Sequence, residues 1–337
     1  MKTKFFQSLL IALLLTTSAA ISAQDTEAEE QSSAVEEARA LEISQELSAR
    51  QAAIENIQSD LGIYDPSLLE AYGDMGRFYA ELEDYENAVR LYSEALQIAR
   101  INTGLYSHEQ IPILDSLIEN NGRASQWEEV DDLQELYYLI NSRLYELTDQ
   151  EYLSAAEIYG AWKLRLVREN LLDQSGFSLL NTAEDLSLFY ERIIESLELV
   201  PGFRREELLT IIYGKSQTDL TLARSVAATP YTAFQGTENQ FISQVRCTNV
   251  RNSQGQVVRQ CFTVQVENPR YRLSQRDAKQ FALQRHTRDI SRAIAKLEGI
   301  RTSSSELTIG QKQQIDVQIG ELVTESEQLV RSSRRLF

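Results

Sequence analysis

The chain has 337 residues, with 33 Lys and Arg against 50 Asp and Glu, a formal net charge of -17, two histidines and two cysteines. That length is ample for two hydrophobic cores, and a 42% apolar, 25% charged composition is that of a globular chain. The acidity argues against a nucleic-acid partner, because a negative surface repels phosphates.

Residues 1–23 read as a secretory signal peptide. Lys2 and Lys4 precede an apolar run from Leu9 to Leu15, and Thr16, Thr17 and Ser18 lead into small residues up to Ala23. The run is too short to cross a bilayer, and no later segment reaches the roughly 18 apolar residues of a membrane helix. Cleavage after Ala23, or alternatively after Ala20, would leave an acidic start. The Lys-led signal and the lack of any Asn-x-Ser/Thr acceptor place the expected protein in the bacterial periplasm. Residues 24–33 are polar and acidic, and a disordered leader is expected there. Charge is divided unevenly beyond it: residues 24–200 balance at -26 and residues 201–337 at +7.

From Ala34 to about Leu61 the apolar spacing predicts a helix, with Ile43, Leu47, Ile54, Ile57 and Leu61 on one stripe. Gly62 stands where its C-cap belongs, and Asp65-Pro66 opens the next element. Residues 66–100 carry the strongest pattern. Tyr72, Met75, Gly76 and Tyr79 stand at aromatic-x2-apolar-Gly-x2-Tyr spacing, and Ala88, Tyr92 and Ala95 follow after Tyr85. Gly76 and Ala88 are small where two helices cross, and the tyrosines fill the space around them. A shift of 42 gives a degenerate copy: Leu114, Leu117, Ile118, Trp127, Val130 and Tyr137 replace Tyr72, Met75, Gly76, Tyr85, Ala88 and Ala95. A further shift of 42 reaches Ala156, Tyr159 and Gly160, with the second helix displaced by an insertion near 173–182 into about 184–199.

This pattern resembles the tetratricopeptide repeat, a helix–turn–helix unit of about 34 residues. The 42-residue period, lengthened by Asn102–His108, is similar to the extended repeats of kinesin-light-chain type. The resemblance covers roughly residues 66–200. It implies an α-solenoid of about three helix pairs whose first helices bind a peptide or protein segment. The outward positions of those helices are Asp74, Arg77 and Glu81 in the first copy, and Asp115, Glu119 and Arg123 in the second.

A helix is expected at Phe203–Ala223. Alternation over about 241–266 then predicts a β-hairpin with the three-residue loop Ser253-Gln254-Gly255. Pairing about Gln254 sets Cys247 opposite Cys261, so a disulfide is expected in an exported chain. Ser274–Asp277 predicts the start of a helix reaching about Leu297 and closed by Gly299. Ser303 and Glu306 open a last helix towards Arg331.

Catalytic signatures are sparse. His108 and His286 lack partners at metal-ligand spacing and read as surface residues, and the acid pairs Glu128-Glu129 and Asp131-Asp132 read as solvated faces. No phosphate loop or nucleophile elbow occurs, so no cofactor is expected. The sequence therefore predicts a mainly α protein: a tetratricopeptide-like domain over residues 34–200, then a module over residues 201–337 with the hairpin and two C-terminal helices. The expected function is non-catalytic protein interaction or scaffolding in the cell envelope. The partner would carry a basic segment, which the chain's own basic half might also supply by docking. An envelope-polysaccharide enzyme or accessory and a self-associating structural subunit are the alternatives.

Overall fold

The computed structural model describes residues 35–335, with side chains as far as Arg331. The expected signal peptide (1–23) and leader (24–33) lie outside the described residues. The fold is mainly α, tetratricopeptide-like helix pairs followed by a disulfide-linked hairpin and two C-terminal helices. Two compact units divide it, one ending at Ser125 and the other beginning at Gln126. No helix among the described residues is long and apolar enough to cross a membrane.

The first unit holds α1 (35–61), α2 (Leu68–Glu81), α3 (Tyr85–Thr103) and α4 (Ile111–Arg123). The stripe read on α1 is the face it buries: Leu47, Ile54 and Ile57 pack with Leu68 and Met75 of α2 and with Leu91 and Ile98 of α3. Two polar contacts fix its rotation, Gln58 donating to the Tyr72 hydroxyl at 2.9 Å and Arg50 to the Asp74 carbonyl at 3.3 Å. Asp84 caps α3 by accepting from the Asn87 amide at 3.2 Å. The 42-residue period is visible in the backbone. Glu83 and Ser125, 42 apart, both close a helix pair in the left-handed region, with φ of 60° and 58°.

The second unit contains α5 (Trp127–Leu144), α6 (Gln150–Glu169), α7 (Gly176–Glu198), α8 (Leu209–Ala228), β1 (Phe241–Arg251), β2 (Val257–Glu267), α9 (Pro269–Ser303) and α10 (Ile309–Arg335). One core runs through α6 to α10, with Leu153, Leu197, Ile211, Leu220, Ile290 and Leu322 all buried in it. The helix after Pro201 begins later than expected, at Leu209, because residues 205–208 form a 3-10 turn first. Helix α9 begins earlier and ends later than expected. Asn268 caps it by accepting from the Arg270 amide, Pro269 occupies its first turn, and Ser274 is buried within it. Gly299 lies inside the helix rather than closing it. The capping box sits at the next helix instead. Thr308 Oγ1 accepts from the Gln311 amide, and Gln311 Oε1 accepts from the Thr308 amide, which starts α10 at Ile309.

Strands β1 and β2 pair antiparallel with Cys247 opposite Cys261, and the two are joined by a disulfide. The turn is closed by Asn252 and Gln256, leaving Ser253-Gln254-Gly255 as the loop. Gly255 takes a φ of 78° that a side chain would strain. Asn268 anchors the base, donating from its amide to Gln240 and from its side chain to Asn239, both at 2.9 Å. Ile242, Val250, Val258 and Phe262 share one face of the ribbon and stay exposed.

Close helix approach depends on glycine against tyrosine. A Cβ on Gly76 would meet the Tyr92 ring at 3.1 Å, and one on Gly214 would meet the Tyr190 hydroxyl at 2.7 Å; one on Gly160 would collide with that same hydroxyl. Gly160→Ala should therefore cost about 1–3 kcal/mol and more than Gly76→Ala. Adding Tyr190→Phe should return part of that loss, since the hydroxyl is the nearest atom. Urea unfolding of the three variants checks it, and a Gly160→Ala protein as stable as wild type would contradict the packing.

The disulfide closes a loop of about 15 residues, worth about 3 kcal/mol on the chain-entropy model. Little core supports the ribbon, and an isolated two-stranded hairpin is marginal. Replacing both cysteines by serine should therefore speed trypsin cleavage after Arg246, Arg251 and Arg259 while the helical circular dichroism stays unchanged. Equal cleavage rates would show that the ribbon does not need the bond.

Candidate functional site

Helices α2 and α4 carry the six outward positions named from the repeat pattern. Arg77, Glu81, Asp115, Glu119 and Arg123 are exposed, and Asp74 is half-buried. Behind them Met75, Gly76, Ala88, Tyr92 and Ala95 are buried, while Tyr72 and Tyr79 are partly buried. Tyr92, from α3, links the two outward helices. Its ring lies against Gly76, and its hydroxyl shares a hydrogen bond with Ser116 of α4. Burial raises its pKa, and Arg77, Glu119 and Asp74 act on the hydroxyl electrostatically. The structure thus gathers Asp74, Arg77 and Glu119 around one phenol.

The cations of this face are already engaged. Arg77 pairs with Asp74 at 3.4 Å, and Arg123 pairs with Glu119 at 3.0 Å while lying 5.9 Å from the Tyr85 ring centroid. Exposed pairs at this helical spacing contribute only about 0.3–0.5 kcal/mol each. Asp115 differs: desolvation raises its pKa, and no nearby positive charge offsets that. A carboxylate in this state gains from an incoming cation.

In the second unit several polar groups expected at the surface are buried. Asp131 does not lie on a solvated face. It pairs with Lys163 at 2.7 Å and accepts from the Trp162 indole at 2.8 Å. Lys163 also pairs with Glu135 at 2.7 Å, and although burial opposes its charge, the bonds to Asp131 and Glu135 outweigh that and raise its pKa. On α8, Asp219 is 1% exposed, accepts from Ser187 at 2.6 Å and pairs with Lys215 at 2.9 Å. Burial raises its pKa despite that pair. His286 is likewise no surface residue. It is 4% exposed on α9, and burial, aided by the neighbouring Arg285 charge, lowers its pKa to about 4. His108 sits in a short turn before α4 and has a partner of its own. No group of three or more potential metal ligands occurs among the described residues.

No protein-family model matches the chain, and no curated protein does either. Among solved structures, two crystal forms of the nearly identical TPR-like repeats described as kinesin light chain, from Podosopora anserina, are 10% identical with TM-scores of 0.39 and 0.40. Each alignment covers 54% of this chain, and 79% and 80% of the repeat proteins. A computationally designed self-assembling cyclic homo-oligomer is 12% identical over 87% of this chain and 96% of its own, with a TM-score of 0.32. Superpositions this loose leave the reading of the site to this chain's own residues.

His286 gives the second unit a pH dependence. Its ordinary value of 6.5 falls to about 4 in the fold, so the folded state favours the neutral ring. Its contribution is therefore complete above pH 6.5 and is lost as pH falls towards 4, amounting to about 3 kcal/mol. Between pH 7 and pH 4, wild type should lose about that much more stability than His286→Gln in urea titrations. Parallel losses would mean the imidazole is not held neutral.

Proposed function

We propose that the chain is a non-catalytic interaction protein whose α2/α4 face takes a basic segment of a partner polypeptide. One observation carries this: two successive outward helices meet at the Tyr92 hydroxyl with Asp74, Arg77, Ser116 and Glu119 around it, and both cations of the face are paired within their own helices. What is left for a partner is carboxylate, with Asp115 desolvated and uncompensated. A Lys or Arg side chain arriving there supplies the missing charge. Its attraction speeds encounter more than it tightens the complex.

The same reading places the mature protein in a bacterial envelope as a scaffold or assembly factor. Support comes from the residues of the 1–23 segment and from the Cys247–Cys261 disulfide, which suits an oxidising compartment. A photo-crosslinking residue at Arg77 or Glu81, introduced in the source organism, tests the interface and the compartment together. The adduct should carry a Lys- or Arg-rich partner peptide, and its own N-terminus should read from near Gln24. Asp115→Lys with Glu119→Lys should weaken that partner's binding roughly tenfold, as two lost ion pairs of up to about 1 kcal/mol each would. An acidic partner peptide, or unchanged affinity after both reversals, would remove the face from the proposal.

A further inference from the structure

The second unit has a cleft that the protein-interaction reading does not use. It lies between α7, α8 and α9 and consists of a cavity of about 590 Å³ and a smaller one of about 280 Å³, which share Glu184, Leu222, Arg285 and His286. Such volumes are those of small-molecule sites. The larger cavity is walled by apolar side chains, and two phenylalanines at it, Phe177 of α7 and Phe281 of α9, are 75% and 68% exposed. Aromatic rings left in water beside an apolar cavity lose free energy that a covering apolar group would recover.

The polar end of the cleft limits what the occupant can be. His286 is buried, lines both cavities and is hydrogen-bonded to no described residue. A buried polar group left without a partner is costly, so this ring is the atom set that a ligand would satisfy. The charges around it are already matched. Glu184 of α7 pairs with Arg285 of α9 at 3.1 Å, Lys215 and Asp219 of α8 pair at 2.9 Å, and Asp289 and Arg292 of α9 pair at 3.1 Å. Glu191 lines the smaller cavity but not the larger one. An ionic head group would be desolvated here with no counter-charge waiting for it. A neutral imidazole, by contrast, offers one donor and one acceptor.

We propose that the α7/α8/α9 cleft binds a neutral amphiphile, an aliphatic or aromatic body bearing one hydroxyl or carbonyl group, with the body beside Phe177 and Phe281 and the polar group on His286. The site is independent of the α2/α4 face and stands or falls without it.

The test uses the full chain and the neutral fluorophore N-phenyl-1-naphthylamine. Its emission should rise saturably with one site per chain, and 1-octanol should displace it at least tenfold more effectively than octanoate or octylammonium. Ser225→Trp, at a half-buried lining position, should fill the larger cavity and weaken the probe at least tenfold without changing the melting temperature. His286→Leu should keep the probe but weaken octanol about threefold to tenfold, the range of one hydrogen bond. Imidazole nitrogen NMR needs no variant. With only two histidines in the chain, octanol should shift the His286 signals and leave those of His108 in place. Unsaturable emission, a Ser225→Trp protein that binds as wild type, preference for either charged homologue, or unmoved His286 signals would each overturn the proposal.

Discussion

The packing of the helix pairs depends on tyrosine rings set against glycines on neighbouring helices. At Gly76 the absent side chain lets the Tyr92 ring lie against the α2 backbone, and at Gly160 and Gly214 two absent side chains receive the Tyr190 hydroxyl from both sides. The consequences reach the surface in both units. Because Tyr92 can lie flat on α2, its hydroxyl reaches α4 and ties two outward helices into one face. Because Tyr190 fits between α6 and α8, α7 comes close enough to both for a single core to continue from Leu153 to Leu322. A methyl group at Gly160 or Gly214 would occupy space the phenol already fills, and a core at close-packed density has no slack elsewhere to absorb it.

Electrostatics is arranged differently in the two units. On the α2/α4 face the arginines pair with acids of their own helix, which neutralises each cation locally and leaves the excess carboxylate facing water. In the second unit lysines are drawn inside and matched individually. Lys163 meets Asp131 and Glu135, Lys215 meets Asp219, and Lys279 donates to the Ala227 and Thr229 carbonyls at the end of α8. The last contact places a cation where a helix C-terminus carries negative potential. Between elements, Arg285 pairs with Glu184, and Lys296 with Glu198, so part of the basic excess of residues 201–337 sits on acids of α7. Exposed pairs of this kind contribute little each, and the apolar core beneath them holds the helices.

How far the sequence was legible follows from which signals are local. The first helix pair and its 42-residue repeat were readable because Gly76, Tyr92 and the turn at Glu83 are spaced by helix geometry alone. Gly160 was visible for the same reason, but Tyr190 was not. The insertion before α7 moves it off the repeat spacing, so its equivalence to Tyr92 appears only when the glycine contact is seen. The start of α9 was misplaced because Ser274-x-x-Asp277 imitates a cap, whereas Asn268-Pro269 is the stronger signal. The hairpin register was legible because the turn and the cysteine pair fix it twice.

His286 shows most clearly where polarity misleads. Its neighbours Arg285, Thr287, Arg288 and Asp289 are polar, and averaging over them makes a surface segment. Read at helical spacing, it belongs with Leu283, Ile290, Ala293, Leu297 and Ile300, which are all buried. Asp219 on α8 stands in the same relation to Ile212, Ala223 and Val226. A polar residue on an otherwise apolar stripe must either find a partner or remain costly to bury. Asp219 has Lys215 and Ser187, and its neighbours account for it. His286 has none among the described residues, and it borders a cavity. The two positions break the same rule of patterning, and only at the histidine is the compensation missing from the chain itself. That difference distinguishes a structural ion pair from a place prepared for something else.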